Sequence, residues 1–547
     1  MPARLLLSLC SGLWLLALVV GTRAQSPAPA GAAARGEAVH FETSDNCLAC
    51  HNSLITPAGE DVSIGASWRG SMMANSSRDP YWQASVRRET IDHPSATSEI
   101  EDECSICHMP MARTMAHANG RHGEIFARLP VGARDVEDDR LAADGVSCML
   151  CHQIAQDRLG TRESFTGGYV VKPAPPGGGA GMFGPFSVDA ARSSVMHSAT
   201  GVKPTESAHI QQSELCATCH TLYTSALGQS GQAIGSLPEQ VPYLEWRHSA
   251  FREERSCQSC HMPEVAEPMR VSSVLGEPRE GFSRHSFVGG NFFMLRMLNR
   301  YRRELGVQAL PSELESSSRA TLAQLQADTA GVTIVGASAS GGVLSVDVAV
   351  RNLTGHKLPT GYPARRAWLH VTVRDRSGRA VFESGAVSAT GAIQGNDNDA
   401  DLTRYEAHYE VIRAGDDVQI YESVMVDQAG VPTTGLLFGV SFVKDNRLLP
   451  RGFDKATAEA DIAVRGDARG DANFGADGDR VRYEVDVAGA AGPFQVEVEL
   501  RYQPISYRWA QNLKRYDAPE PQRFVSYYDA MAGQSSTVVA RAAARVE

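Results

Sequence analysis

The chain has 547 residues, 43% of them apolar and 21% charged, with 52 Lys and Arg against 63 Asp and Glu, for a net charge of −11. That sign excludes a protein built to neutralise nucleic-acid phosphates, and the apolar share excludes a disordered polyampholyte. At roughly 100 to 200 residues per domain, the length implies two to four domains with sizeable cores.

In chain order, Met1-Pro-Ala-Arg4 followed by an apolar run from Leu5 to Val20 and by Gly21-Thr-Arg-Ala24 reads as a secretory signal peptide over residues 1–24. The run falls short of the roughly 20 apolar residues that a membrane span needs. Cleavage after Ala24 removes Arg4 and Arg23 and takes the charge from −11 to −13. An Ala/Pro/Gly-rich linker over 25–38 is expected next.

Residues 39–290 contain ten cysteines in five identical patterns: Cys47-Leu-Ala-Cys50-His51, Cys104-Ser-Ile-Cys107-His108, Cys148-Met-Leu-Cys151-His152, Cys216-Ala-Thr-Cys219-His220 and Cys257-Gln-Ser-Cys260-His261. C-x-x-C-H is the attachment signature for c-type haem: two sulfurs bond the porphyrin and the adjacent imidazole ligates iron. Disulfide frameworks do not place His after every second Cys, and five zinc sites would need spare ligands that the cysteine count does not supply. The five histidines are 57, 44, 68 and 41 residues apart. So few residues per cofactor imply that the haems replace much of an ordinary side-chain core and lie close together. Twelve of the 15 methionines fall between Met72 and Met297, where soft side chains suit flat haem faces. The Gly/Pro-rich stretch from Pro173 to Gly184 reads as a linker.

The sixth iron ligand separates electron carriage from catalysis at an open position. Among the histidines outside the pentads, His93, His117, His197, His209 and His285 are the leading distal candidates, with His122, His40 and His248 beside them and Met72 or Met73 as a thioether alternative. Their number favours bis-histidine coordination without assigning which histidine caps which iron.

Residues 40–290 resemble the multihaem c-type cytochromes, specifically an exported pentahaem member. Beyond the pentads, Met73-Ala-Asn-Ser-Ser-Arg-Asp-Pro80, Asp144-Gly-Val-Ser-Cys148 and Ser286-Phe-Val-Gly-Gly-Asn291 are similar to strings in that family. The resemblance implies haems capped by histidines from elsewhere in the chain and an appended β module. Pentahaem nitrite reductases share the haem count, but their active haem carries Lys in place of the motif histidine, whereas all five motifs here end in His.

Beyond residue 290 no cysteine occurs. Connecting helices are expected over 291–330: one carries Phe292, Phe293, Leu295, Met297 and Leu298, and a second starts at Ser312 with Glu315 completing a capping box. Over 331–547 the period changes to two. Leu344, Val346, Val348 and Val350, then Ala367, Leu369, Val371 and Val373, then Phe494, Val496, Val498, Leu500 and Tyr502 alternate with outward residues, which predicts an antiparallel, immunoglobulin-like β-sandwich. The fold class is thus α+β multidomain, a helical and loop-rich haem domain followed by a sandwich. Within the sandwich, the Gly-flanked loop Asn352–Gly361 is either a plain turn or a means of bringing His356 over a haem edge, and Asp397, Asp399 and Asp401 alternate as calcium ligands might be spaced.

The function expected is electron transfer through five covalently bound c-type haems, mostly bis-His ligated, in the periplasm or outside the cell, with redox proteins or small donors and acceptors as partners. The alternatives are an oxidoreductase acting on a small nitrogen or sulfur compound at one open haem, and a homo-oligomeric subunit of an extracellular cytochrome filament.

Overall fold

The computed structural model describes residues 39–175 and 178–547, so the expected signal peptide and linker lie outside the described residues. No helix among the described residues is long and apolar enough to cross a membrane.

The first half is a string of short helices joined by loops. Each pentad rides on or beside a helical turn: Asp45–Leu48, Thr97–His108, Cys148–Cys151, Ser213–Ala217 and Cys257–His261. A helical turn is what the spacing needs, because residues three and four apart share a face, so both sulfurs and the following imidazole point the same way. The longest helix of the first half, Pro80–Asp92, carries no pentad and starts with Pro at its first position and with Asp79 accepting from the backbone N–H groups of Tyr81 and Trp82. Three two-stranded ribbons add to the expected helices and loops: Ala180–Gly184 with Val202–Glu206, Leu222–Leu227 with Ala233–Gln240, and Met269–Arg270 with Pro278–Arg279. The end of the Gly/Pro-rich stretch is therefore a strand rather than a linker.

Helix Phe292–Arg300 buries Phe292, Phe293, Met294, Leu295, Met297 and Leu298. The next helix, Pro311–Asp328, starts one residue before the expected position. Its reciprocal cap is made by Glu313, whose carboxylate accepts from the Leu310 N–H at 2.8 Å, and not by Glu315.

Nine strands of the second half are named here: β1 (Ala330–Ser340), β2 (Val343–Asn352), β3 (Arg366–Arg374), β4 (Ala380–Ser384), β5 (Val411–Ile412), β6 (Ile420–Tyr421), β7 (Asp479–Asp486), β8 (Phe494–Gln503) and β9 (Thr537–Val546). They form two sheets, β5-β7-β2-β1 and β4-β3-β8-β9, with β6 also on β3. The inward residues of β2, β3, β7 and β8 share one core. Two features depart from a simple one-sided antiparallel sandwich. First, β5 pairs with β7 in parallel. Second, the outer face of β3 is also buried: Trp368 packs under Ile393, Val418 and Ile420, and its indole N–H donates to the Gly385 carbonyl at 2.9 Å. The loop over 385–420 covers what the alternation assigned to solvent.

The acidic triplet in that loop does not form one cluster. Asp399 turns inward to Arg366, Asp397 pairs with Arg404, and Asp401 accepts from the backbone and hydroxyl of Thr403. Each carboxylate has its own partner, so they do not converge on a common centre.

The core runs across both halves. Tyr81 of the first half meets Tyr362 and Phe524 of the second at ring-centre distances of 5.8 and 5.0 Å. Arg87 pairs with Glu520 at 2.8 Å, and the backbone N–H of Leu436 donates to Glu89 at 2.9 Å.

Candidate cofactor site

A continuous cavity of about 1330 Å³ runs through the first half and up to the second, beyond the roughly 300–1,000 Å³ of a site for one ligand. Cysteines and histidines of all five pentads line it, together with Met72, Met73, Met149, Met182, Met196 and Met262. Half of the twelve clustered methionines therefore line a space, while Met109, Met111, Met269, Met294 and Met297 fill side-chain core.

None of the ten described cysteines is in a disulfide. Cysteines of different pentads lie close enough to influence one another: Cys47 and Cys148, Cys107 and Cys219, and Cys216 and Cys257. Cys151 stands close enough to Cys216 and Cys219 to feel their charge. The attachment points thus run from the first pentad to the third and then the fourth, and the second and fifth both join at the fourth.

The histidine chemistry fits haem iron. Four motif histidines turn Nδ1 to a backbone carbonyl: His51 to Val271 at 2.5 Å, His108 to Ser76 at 3.0 Å, His152 to Phe183 at 2.6 Å and His261 to Val288 at 2.5 Å. A ring nitrogen facing a carbonyl must be the protonated donor, which leaves the Nε2 lone pair for a metal. Burial pushes the imidazoles of His108 and His220 down to about 4, so they are neutral at pH 7, as a ligand must be.

Two further histidines face motif histidines across the cavity. The rings of His152 and His285 are nearly parallel, at 14°, with centres 6.4 Å apart. Those of His261 and His356 are also at 14°, with centres 6.2 Å apart. Stacked rings in contact would sit closer than this. Two imidazoles on opposite sides of one metal atom, each bonded at about 2 Å, have centres about 6 Å apart. His285 and His356 also anchor Nδ1 on carbonyls, of Ser283 at 3.0 Å and of Lys357 at 2.9 Å. Burial holds both near 4.

The other expected ligands lie elsewhere. His209 is buried, but its Nε2 donates to the Ile154 carbonyl at 2.8 Å and its Nδ1 accepts from the Ser207 hydroxyl at 2.6 Å, so it has no nitrogen left for iron. His117 is at the surface, with Nε2 on Asp102 at 2.7 Å and His122 beside it. His93 and His197 do not line the cavity, although His93 Nε2 and His197 Nδ1 are buried without a hydrogen-bond partner. His248 is tied to the Asp454 carbonyl, and His40 stands beside Glu42. Among the described residues, His285 and His356 are the histidines outside the motifs that line the cavity, which leaves His51, His108 and His220 without a paired ring there; Met72 and Met73 do line it.

No protein-family model matches the chain, and no curated protein matches its sequence. Among solved structures, the penta-heme cytochrome c552 from Thermochromatium tepidum is similar to it over 92% of this chain and 98% of that one, with a TM-score of 0.52 and 17% identity. This likeness shows a shared fold and spans both halves.

Proposed function

We propose that this chain carries five covalently attached haems and passes electrons along them. The observation that carries the reading is the convergence of all five Cys-x-x-Cys-His motifs on one cavity, with cysteines of different motifs close to one another. The penta-heme cytochrome of similar fold supports the same count. Each haem would supply an iron that takes up and gives back one electron. The protein's part is to hold each porphyrin by two sulfurs and its iron by an imidazole, to fix the tautomer of four of those imidazoles through backbone carbonyls, and to keep the array dry with methionine and aromatic side chains. The branched order of attachment points, first to third to fourth with the second and fifth at the fourth, gives electrons short steps between all five. Export to an oxidising compartment, where haem attachment takes place, follows from the signal-like residues 1–24. An acidic chain suits a partner with a basic docking face, with an encounter rate that falls as salt rises.

A second reading, reduction or oxidation of a small molecule at an open iron, is favoured by the lack, among the described residues, of a second cavity-lining histidine paired with His51, His108 or His220. Counting haems by mass and by absorbance of the denatured protein, and separating low-spin from high-spin iron by electron paramagnetic resonance, tests both. Five haems per chain with all iron low-spin is the carrier. Five haems with a high-spin signal that responds to added small ligands is the enzyme. A colourless protein of bare polypeptide mass fails both.

His285 gives a local check. The His285→Ala protein is expected to keep five haems and to turn one of them high-spin, with the signal returning to low-spin on adding imidazole. Unchanged spectra would exclude His285 as a ligand.

A further inference from the structure

We infer that His356, supplied by the second half of the chain, is the second axial ligand of the haem attached at Cys257 and Cys260, and that Glu245 of the first half is the residue that positions it. The inference rests on the haem reading above and adds to it a ligand from outside the cysteine-bearing region.

The ring pair is the first observation. His261 and His356 face each other with the same 14° tilt and nearly the same spacing as His152 and His285, although the two pairs share no element of structure. Both rings turn Nδ1 to a carbonyl and Nε2 away from it, so each presents a lone pair.

The second observation is how the loop is held. His356 lies in the turn after β2, and the turn is fixed from both sides. The Asn352 amide donates to the His356 carbonyl at 2.7 Å and to the Leu448 carbonyl at 3.0 Å. Gly355 runs so close to the first half that a Cβ there would stand 3.1 Å from Phe251 and 3.3 Å from Trp246. Next to the histidine, the backbone N–H of Lys357 and the hydroxyl of Thr360 both donate to one oxygen of Glu245, at 3.0 and 2.5 Å. The other oxygen of Glu245 pairs with Arg447 at 2.8 Å, Arg447 reaches Asp445 at 2.7 Å, and Asp445 takes the Lys357 ammonium at 2.8 Å. Glu245 and Lys357 are fully buried. A sealed quartet of two cations and two anions is weak as a source of stability, because desolvation consumes most of the Coulomb gain. Its directional bonds do fix geometry, and what they fix here is the backbone just after a histidine that faces another histidine across a cavity.

The test uses the holoprotein. His356→Ala is expected to retain five haems by mass and to convert one of the five from low-spin to high-spin, with imidazole restoring the low-spin signal. His356→Met, which keeps a ligand of a softer kind, is expected to stay low-spin while one haem in five titrates at a higher potential. Glu245→Gln is expected to keep the haem count and to broaden or shift the low-spin signal of that same haem, with Glu245→Asp recovering part of it. A five-haem His356→Ala protein with unchanged spin state and titration overturns the inference while leaving the haem reading intact. A wild-type chain without haem overturns the haem reading itself.

Discussion

The Asp399→Ala protein is expected to lose about 3–5 kcal/mol of stability, the cost of leaving a buried charge without its partner. The Arg366 guanidinium is 2% exposed and grips Asp399 with both terminal nitrogens, at 2.9 and 2.8 Å, while its Nε donates to Gln503 at 2.9 Å. The same carboxylate accepts the backbone N–H of Ile393 at 2.8 Å, so it also ties the covering loop down over Trp368. Removing it strands a cation in the sandwich and frees the lid over β3. Asp401→Ala, in contrast, alters an exposed turn and is expected to stay within about 0.5 kcal/mol of the parent. Replacing both members of the pair, as Arg366→Met with Asp399→Leu, is expected to recover most of the loss, since apolar packing can stand in for a buried ion pair. Denaturant midpoints measure all three. Added calcium or a chelator is expected to leave the parent's midpoint where it is, because a specific site would stabilise by mass action and the three acidic side chains are already engaged.

What could be read from the chain alone depended on how local each signal is. The five Cys-x-x-Cys-His motifs were legible because both sulfurs and the imidazole of each fall within five residues on one helical turn. The sandwich strands were legible because Leu344 to Val350 and Phe494 to Tyr502 alternate strictly, and these residues are buried in one core. His285 stood out through its small neighbours, and it does face His152. The nonlocal members were legible only in part. The Gly-flanked loop marked His356 as either part of a plain turn or a residue brought over a haem edge, and only the folded loop and its buried ionic anchor show that it faces His261 across the cavity. His209 misled for the opposite reason. A buried histidine can be satisfied by a serine hydroxyl and a carbonyl, and nothing in the sequence reveals that Ile154 supplies the carbonyl. Trp368 is a third case: period-two alternation marks one face as inward, but it does not say whether a later loop returns to cover the other.

Glu239 carries the strongest expected pH dependence. It lies in the ribbon strand Ala233–Gln240, is buried, and accepts the Thr224 hydroxyl at 2.5 Å. Burial, with the nearby charge of Glu89 adding to it and the Thr224 bond opposing it, pushes its carboxyl up from 4.5 to about 7. Because the folded value is the higher one, the folded chain holds a proton that the unfolded chain releases. The stability this provides is complete below about pH 4.5 and is lost as the pH rises to 7, where the folded protein must ionise the group or keep it protonated at a cost. Glu239→Gln keeps an oxygen to accept from Thr224 and removes the charge. It is expected to match the parent at pH 4 and to exceed it by up to about 3 kcal/mol at pH 8, as a shift of between two and three pKa units implies. Denaturation of both proteins at pH 4, 6 and 8 decides it. The gap should open progressively with pH, and a constant gap, or one that closes above pH 6, would show that Glu239 is already ionised in the folded protein. Burial raises the Cys104 thiol and the neighbouring Cys219 raises that of Cys107, and the nearby charge of Glu239 adds to both, so that charge is felt at the second Cys-x-x-Cys-His motif. A carboxyl that stays protonated through mildly acidic pH keeps an unpaired negative charge away from that site and from Glu89.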